Sequence, residues 1–277
     1  MTDVRREAEG LFGPGSAAWL VDRELIVLAG GSCALLLQAA HPVVAAGVAE
    51  HSSYATDPFG RLLRTLTSSF DVVFGTRSEA EATIRRVNAI HASVRGEMPG
   101  DGARYSALDP EALLWVHATL IDTALRVFSQ FVRPLSAAEE QAYHDEAAQV
   151  ATLLGVPAAD LPPTVGDLRS WMDGMIDDGR VRVTPAARAI ARTVLYPSRW
   201  LPRVAWDAAH LVSLTTLRSE IRRQYGIGWS PARERGMERL AAFSRHAMPL
   251  VPSPLRFAPQ ARAAARRVDQ LATPTVG

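Results

Sequence analysis

One uncharged segment, from Leu25 to Ala49, constrains this chain more than any other part of its sequence. It contains no aspartate, glutamate, lysine or arginine, and a helix of that length could span a bilayer. Gly30, Gly31 and Pro42 interrupt it, together with polar side chains that a lipid-facing helix tolerates poorly. We therefore expect a deeply buried segment of a soluble protein, with peripheral membrane contact left open as an alternative.

The rest of the chain carries the pattern of helices packed against one another. Apolar residues recur at helical spacing, and the alternation typical of strands is nearly absent. These features predict an all-α protein, built as one globular domain of about ten helices. We expect this domain to span residues 1–277, with its core at about 10–250 and a tail at 251–277.

Two local expectations concern the first half of the chain. Pro42 lies inside a predicted helix from about Cys33 to about Glu50, and proline removes a backbone donor, so a kink near Gln38 is expected. The segment from Gly96 to Asp109 is rich in glycine and proline, which predicts a surface loop.

The next predicted helix, from about Gly60 to Val73, has two different sides. One side is apolar and should face the core: Leu62, Leu66, Phe70 and Val73. The other side is polar: Arg61, Arg64, Thr65 and Ser68.

Composition and missing motifs exclude many function classes. The net charge of +1 gives no electrostatic argument for nucleic acid as a partner. A single cysteine, Cys33, excludes an intramolecular disulfide, a cysteine-based zinc site and a four-cysteine iron–sulfur cluster. The start of the chain has no prompt apolar run typical of a signal peptide, so a cytoplasmic protein is expected.

Phosphate-binding loops, HExxH and the nucleophile elbow are absent from the sequence. Nothing in the sequence specifies an oligomeric state.

Histidines on apolar helix faces are the residues that remain. His41, His91 and His117 each share a predicted face with aliphatic side chains. One such histidine is more often a hydrogen-bonded core residue than a ligand. Three in one half of the chain shift the balance toward a role as ligands, because buried imidazoles need partners. Iron is one such partner, since a neutral imidazole is a common haem ligand.

The polar stripe and the helix ends offer further candidates. Arg61 and Arg64 either form a solvated helix face or line a pocket, where guanidinium groups pair with propionates. Thr65 could donate a hydrogen bond there. Arg95, expected one turn after His91 on the same helix, is either a propionate partner or a helix-end charge. Glu50 is either a solvated helix end or a general base at the mouth of the pocket.

Several motifs in series give the chain a family resemblance. They are LLLQAAHP ending at Pro42, DPFGRLLRTL from Asp57, IHASVRG around His91 and YSALDPEALLWVHATLID from Tyr105. With them, the chain resembles the MpaB-type oxygenases, the family that also contains the latex-clearing proteins, over about residues 10–250. The resemblance implies an all-helical fold around one b-type haem. It also implies an oxygenase that uses dioxygen on an apolar, isoprenoid-like unsaturated substrate.

Residue roles follow from the same resemblance. His91 matches the proximal iron ligand, with His117 as the alternative, while Arg61, Arg64 and Thr65 match the distal helix. Arg64 stands where latex-clearing proteins carry a lysine able to ligate iron. Glu50 is the candidate counterpart of their general-base glutamate.

Two other function classes remain open from the sequence. The apolar pocket could hold haem or another hydrophobic ligand without turnover. The chain could also be a structural or partner-binding helical protein, in which the histidines are ordinary core residues and His41 simply packs.

Overall fold

The computed structural model describes residues 2–54, 56–100, 102–196 and 202–272. The expected all-α fold is confirmed: helices dominate, and the described residues contain one two-stranded sheet. The α-helices are numbered along the chain: α1 (Thr2–Glu9), α2 (Ala17–Asp22), α3 (Leu25–Leu28), α4 (Gly31–Ala40), α5 (Pro42–His51), α6 (Pro58–Phe74), α7 (Arg77–Ser93), α8 (Pro110–Phe131), α9 (Ala137–Leu153), α10 (Val165–Asp177), α11 (Pro185–Leu195), α12 (Arg203–Ala209), α13 (Leu211–Thr216), α14 (Ser219–Gln224), α15 (Pro231–Ala247), α16 (Ser253–Arg256) and α17 (Pro259–Ala272).

The helix expected from Cys33 to Glu50 is in fact two helices that meet at an elbow. The segment Leu25–Ala40 and α5 lie at 104° to each other. His41 between them is extended, with φ −79° and ψ 121°, and Pro42 occupies the first turn of α5. The expectation of a kink near Gln38 was wrong. A proline disfavours helical backbone at the residue before it, and it fits well where a new helix begins.

The segment expected to be a surface loop contains a short β-hairpin. Strands β1 (Arg95–Glu97) and β2 (Arg104–Ser106) pair antiparallel, with Gly96 opposite Tyr105. Because α7 ends at Ser93, Arg95 lies in β1 rather than one turn after His91 on the same helix. That expectation was wrong, since glycine and proline after Arg95 favour the turn of the hairpin over continued helix.

The largest hydrophobic core lies where α4 crosses α8 and α11. Its fully buried side chains include Leu36, Leu37, Trp115, Leu125 and Met172. Within the described part of the chain, no residue of α6 or α7 belongs to this core. The helix that carries His91 therefore stands outside the main core.

Helices α6 and α7 form a hairpin that is fixed at its turn. Trp19 Nε1 donates to the Val73 carbonyl at 2.9 Å, and Arg267 Nη2 donates to the Phe74 carbonyl at 2.7 Å. Thr76 caps α7 in a capping box with Glu79. The contacts from α2 and α17 thus hold the closed end of the hairpin.

The N-terminal half of α6 is less buried than expected. Leu62, predicted to face the core, is 42% exposed, and Leu66, Phe70 and Val73 are half-buried. The prediction for Leu62 was wrong because the N-terminal half of α6 lies away from the turn at Gly75, where α2 and α17 pack against the hairpin.

Among the described residues, two parts are long and apolar enough to cross a membrane by composition. One is α8, in which 72% of an apolar 18-residue window is buried inside the protein, and the other is the bent pair made by Leu25–Ala40 and α5. Buried core helices have the same composition, so this property alone does not identify a membrane span.

Candidate functional site

His91 lies near the open end of the α6–α7 hairpin. It comes sixteen residues after Gly75, which places it roughly 24 Å from the turn at 1.5 Å per residue. The ring is half-buried, and its Nδ1 is buried without a hydrogen-bond partner among the described residues. Burial lowers the pKa of this imidazole. His91 is therefore neutral at pH 7 and able to offer a nitrogen lone pair.

Large apolar side chains are exposed around the same end of the hairpin. We call this set the open-end surface: Phe59 (56% exposed), Leu62 (42%), Leu63 (66%) and Ile90 (55%). Contiguous exposed apolar groups are uncommon on a soluble protein and often mark a ligand or partner site. A neutral imidazole and an uncovered apolar surface thus occur together.

His117 on α8 is a second imidazole without a partner. Its Nε2 is buried and unbonded among the described residues. Burial, with the nearby His144, lowers the pKa of His117 to about 4. His144 donates from Nε2 to the Pro162 carbonyl at 2.8 Å, and its buried Nδ1 has no partner among the described residues. His117 therefore remains an alternative ligand.

His41 lies at the elbow between α4 and α5. Only 4% of it is exposed, and its Nδ1 has no partner among the described residues. Its Nε2 lies 3.8 Å from Glu111 Oε1. Burial lowers the pKa of His41, and the charge of Glu111 opposes that effect. The ring also packs beside Trp115, which is consistent with a core histidine at the bend.

Arg61 and Arg64 bind the loop between α5 and α6. Arg61 Nε donates to Ser52 Oγ at 2.8 Å, and Arg64 reaches Ser53 Oγ at 2.9 Å and Asp57 Oδ2 at 3.1 Å. Arg61 is half-buried, and burial lowers the pKa of its guanidinium, whereas Arg64 is exposed. The two arginines expected to act together thus face different surroundings.

Thr65 is exposed and already bonded. Its hydroxyl donates to the Arg61 carbonyl at 3.0 Å, one turn back along α6. Such a bond back to the helix is a common alternative for threonine in a helix. To donate elsewhere, Thr65 would have to change its side-chain rotamer.

Arg61 also lines a small enclosed cavity. The cavity has a volume of about 20 Å³ and is lined mainly by apolar side chains, with Gln38 and Tyr54 as further polar neighbours. That volume is about enough for one water molecule. Gln38 was not singled out as a site residue by the sequence, because its position in the cavity depends on how α4, α5 and α11 pack together.

Glu50 forms the shortest of the hydrogen bonds in this region. Tyr105 Oη donates to Glu50 Oε2 at 2.5 Å. Burial, followed by the effect of Glu50, raises the pKa of Tyr105 to about 12. Gly96 fits closely against the pair: an added Cβ would lie 2.6 Å from Glu50 Oε2. Sequence reasoning missed Tyr105, since fifty-five residues separate it from Glu50.

A broad open cleft of about 800 Å³ lies beside the β-hairpin. We call it the hairpin cleft; its lining includes Val43, Arg95, Arg104, Leu108 and Asp109. Arg95 and Arg104 are exposed and form no ion pair within the described structure. The cleft thus combines two available cations with apolar walls, although Arg104 was not predicted as a site residue.

The structure brings the candidates together only in part. His91, the open-end surface, Arg95 and the Glu50–Tyr105 pair occur around the junction of α5, α7 and the β-hairpin. His117 and His41 lie on the core side, and Arg64 and Thr65 are exposed. No cluster of three or more histidine, cysteine, aspartate or glutamate residues suited to a metal ion occurs among the described residues.

Comparisons with known proteins identify related sequences. Residues 18–246 match the model of a family described as "ER-bound oxygenase mpaB/B'/Rubber oxygenase, catalytic domain". The chain is also similar to the uncharacterized protein Mb2261 of Mycobacterium bovis and the uncharacterized protein Rv2237 of Mycobacterium tuberculosis. Each is 29% identical over 227 residues, which cover 79% of this chain and 87% of the relative. No solved structure matches the chain.

Proposed function

Because the chain belongs to the mpaB/rubber oxygenase catalytic-domain family, we propose that it is a b-type haem-dependent oxygenase. Its substrates would be dioxygen and an apolar, unsaturated molecule of isoprenoid type. Membership in an oxygenase family supports the reaction class, while the cofactor and the substrate class are what the resemblance to that family implies.

The observation that carries the proposal is the state of His91. Its imidazole is half-buried, uncharged at pH 7 and free of hydrogen bonds to described residues. It lies toward the same end of the α6–α7 hairpin as the open-end surface, and Ile90 of that surface precedes it in the chain. A haem needs an imidazole lone pair for its iron and apolar groups against its ring, so these residues fit the group.

Haem also carries two propionates, which need cations. Arg95 and Arg104 line the hairpin cleft next to the end of α7 and are not engaged in ion pairs with described residues. Guanidinium groups are well suited to bind carboxylates through paired hydrogen bonds. These two arginines would therefore hold the propionate edge. When bound, haem supplies the iron that activates dioxygen, which protein side chains alone cannot do.

The chain's own residues would orient the substrate and handle protons. Glu50 Oε2 is occupied by Tyr105, which leaves Oε1 as the atom able to accept a proton. Arg61 places a positive charge beside the small cavity, and its neighbour Gln38 already donates from Nε2 to Thr119 Oγ1 at 3.2 Å. Arg64 and Thr65 would act only after leaving their present bonds to Asp57, Ser53 and the Arg61 carbonyl.

An absorption spectrum tests the cofactor and its ligand together. Wild type reconstituted with haem should show a Soret band, and His91→Ala should lose or shift it. His117→Ala tests the alternative ligand, and His246→Ala is a control because that histidine is exposed on α15. A wild type without a Soret band after reconstitution would overturn the proposal. A Soret band that changes only in His117→Ala would show that His117 on α8 is the iron ligand.

One observation favours a second candidate, a haem- or lipid-binding protein without turnover. The predicted catalytic side chains Arg64 and Thr65 are exposed and already bonded. Dioxygen uptake by the haem-loaded protein with an isoprenoid substrate separates the two candidates. Dioxygen uptake that depends on the substrate and is reduced in Glu50→Gln supports an oxygenase. Haem binding without dioxygen uptake supports a binding protein without turnover.

A further inference from the structure

A second group of exposed apolar side chains lies far along the chain from the open-end surface. Leu240 is 43% exposed, Phe243 70%, Leu250 83% and Leu255 72%. They belong to α15, the 3₁₀ turn Met248–Leu250 and α16, and we call them the C-terminal apolar face. Four large apolar residues this exposed occur within residues 240–255, and such a concentration along the chain favours a contact surface over isolated surface residues.

The backbone that carries this face is held firmly by buried partners. On α15, Ser244 Oγ donates to the Phe131 carbonyl at 2.7 Å, and Arg245 Nη1 donates to the Gln130 carbonyl at 2.6 Å. These bonds fix one side of the helix to the end of α8. Phe243, the residue before them, therefore projects outward because its helix is anchored on the other side.

An ion pair fixes α16 in the same way. Arg256 Nη2 lies 2.7 Å from Oε1 of Glu24, which is completely buried. Arg256 Nε is also 2.8 Å from Glu24 Oε2, so the pair is bidentate. Leu255 precedes this anchor and stays exposed. The apolar face is thus presented by a rigid support and not by a loose chain end.

The charge of the outer side of α15 indicates what this face contacts. Arg235, Arg239, Phe243 and His246 are all exposed and follow one another at spacings of four, four and three residues, so they share one face of the helix. Glu234 and Glu238 lie toward its flank, and Glu234 accepts a hydrogen bond from Trp229. The outermost side therefore combines arginines with an aromatic ring and contains no carboxylate.

We propose that the C-terminal apolar face, with Arg235 and Arg239, docks this protein onto an anionic lipid bilayer. Leucine and phenylalanine side chains enter the boundary between headgroups and acyl chains, while arginines contact lipid phosphates. A bilayer fits better than a second copy of the chain, because this face is itself cationic and would be repelled by an identical one. The docking is peripheral, since α15 lies along the surface and does not cross it.

Co-sedimentation with lipid vesicles tests this assignment. Wild type should bind vesicles of phosphatidylcholine mixed with phosphatidylglycerol more tightly than vesicles of phosphatidylcholine alone. The triple variant Phe243→Ser, Leu250→Ser, Leu255→Ser should bind the anionic vesicles about tenfold more weakly or worse, because it loses the buried apolar area. The double variant Arg235→Gln, Arg239→Gln should also bind about tenfold more weakly and lose the salt dependence of wild type.

A matched control comes from the other end of the chain. Val4 is 61% exposed on α1, and Val4→Ser should leave vesicle binding unchanged. Far-UV circular dichroism should show equal helix content in all variants, since every changed side chain is exposed. Equal binding by wild type and the triple variant would overturn the proposal. So would a dimer in solution that the triple variant converts to monomer without any vesicle binding by wild type, and this outcome would assign the face to a second copy.

Discussion

Tyr105 donates its phenolic hydrogen to Glu50 across 2.5 Å, and this bond joins β2 to the last turn of α5. His51, the next residue, donates from Nε2 to the Arg95 carbonyl at 3.2 Å and joins the same turn to β1. The two bonds hold the β-hairpin against α5, and the hairpin follows directly after the helix that carries His91. The position of Arg95 in the hairpin cleft depends on them.

Replacing Tyr105 with phenylalanine should destabilise the protein. The change removes the donor, and because the Glu50 side chain is 54% exposed, water can replace it, so the cost should be that of one net hydrogen bond, about 0.5–1.5 kcal/mol. Urea unfolding followed by circular dichroism measures the loss. Glu50→Gln is the matched control, because an amide oxygen can still accept from Tyr105, and its cost should be smaller. Equal stability of Tyr105→Phe and wild type would mean that the bond contributes nothing net.

Gly96→Ala should disturb the contact between the β-hairpin and α5 by a steric clash alone, without removing a hydrogen-bonding group. The new methyl group would lie 2.6 Å from Glu50 Oε2 and 2.8 Å from Tyr105 Oη, so one of the two partners must move. We expect a loss of about 1–3 kcal/mol in unfolding free energy, in the range of overpacked sites. Gly174→Ala in α10 is the control, because an added Cβ meets nothing within 4 Å there. That variant should gain roughly 0.5–1 kcal/mol from helix propensity. A Gly96→Ala protein as stable as wild type would contradict the close fit.

Asp22 should make stability depend on pH. Burial, with the charge of Glu146, raises the pKa of Asp22 from 3.8 to about 7, although Tyr143 donates a hydrogen bond to it. Between those pH values the folded state binds more protons at this group than the unfolded state does. Its contribution to stability is therefore complete below about pH 4 and is lost as pH rises to about 7. His117, whose pKa is lowered to about 4, acts in the opposite direction over part of this range.

The variant Asp22→Asn isolates the effect of that one carboxyl group. It keeps an acceptor for Tyr143 and cannot ionise, so its stability relative to wild type should increase as pH rises from about 5 to about 7. Unfolding free energies of both proteins at several pH values measure this difference. A constant difference over that range would show that Asp22 keeps an ordinary pKa.

Asp122→Asn should strongly destabilise the protein, because this carboxylate is buried among three arginines. Asp122 is 2% exposed and accepts from Arg126 Nε at 2.8 Å, Arg169 Nε at 3.2 Å and Arg218 Nη2 at 3.4 Å. Removing its charge leaves three guanidinium groups with less compensation, which costs about 3–5 kcal/mol when such a pair is buried. Chemical unfolding measures the loss. Glu81→Gln, which breaks an exposed pair with Arg77, should cost about 0.5 kcal/mol or less. Similar costs for the two variants would show that burial does not strengthen the cluster.

Local signals in the sequence predicted the helices that have clear ends. The cap at Asp109 with Pro110 begins α8, and the capping box of Ser136 with Glu139 begins α9. These motifs act through neighbouring backbone groups, so they can be recognised without knowledge of the fold. Pro42 was recognised as a disruption, but the sequence alone did not distinguish a kink from the full elbow at His41.

The candidate site depends on distant contacts and was harder to predict. Nothing near Glu50 in the sequence indicates that Tyr105 binds it, and nothing near Arg61 indicates that it lines a cavity with Gln38. The exposure of Leu62 also depends on how far α6 extends beyond its packed turn. Periodicity reports which residues share a helix face but not which faces another helix covers.

The fixed turn and uncovered open end of the α6–α7 hairpin have a consequence for assembly. The main core forms from α4, α8 and α11 without side chains of the described α6 and α7, so the polypeptide can fold before any ligand arrives. Since no described side chain of α6 or α7 belongs to this core, a small adjustment near His91 would leave the core intact. If the proposed haem binds at this hairpin, folding of the chain and loading of the haem would be two separable events, and the protein would reach its folded state before the haem binds.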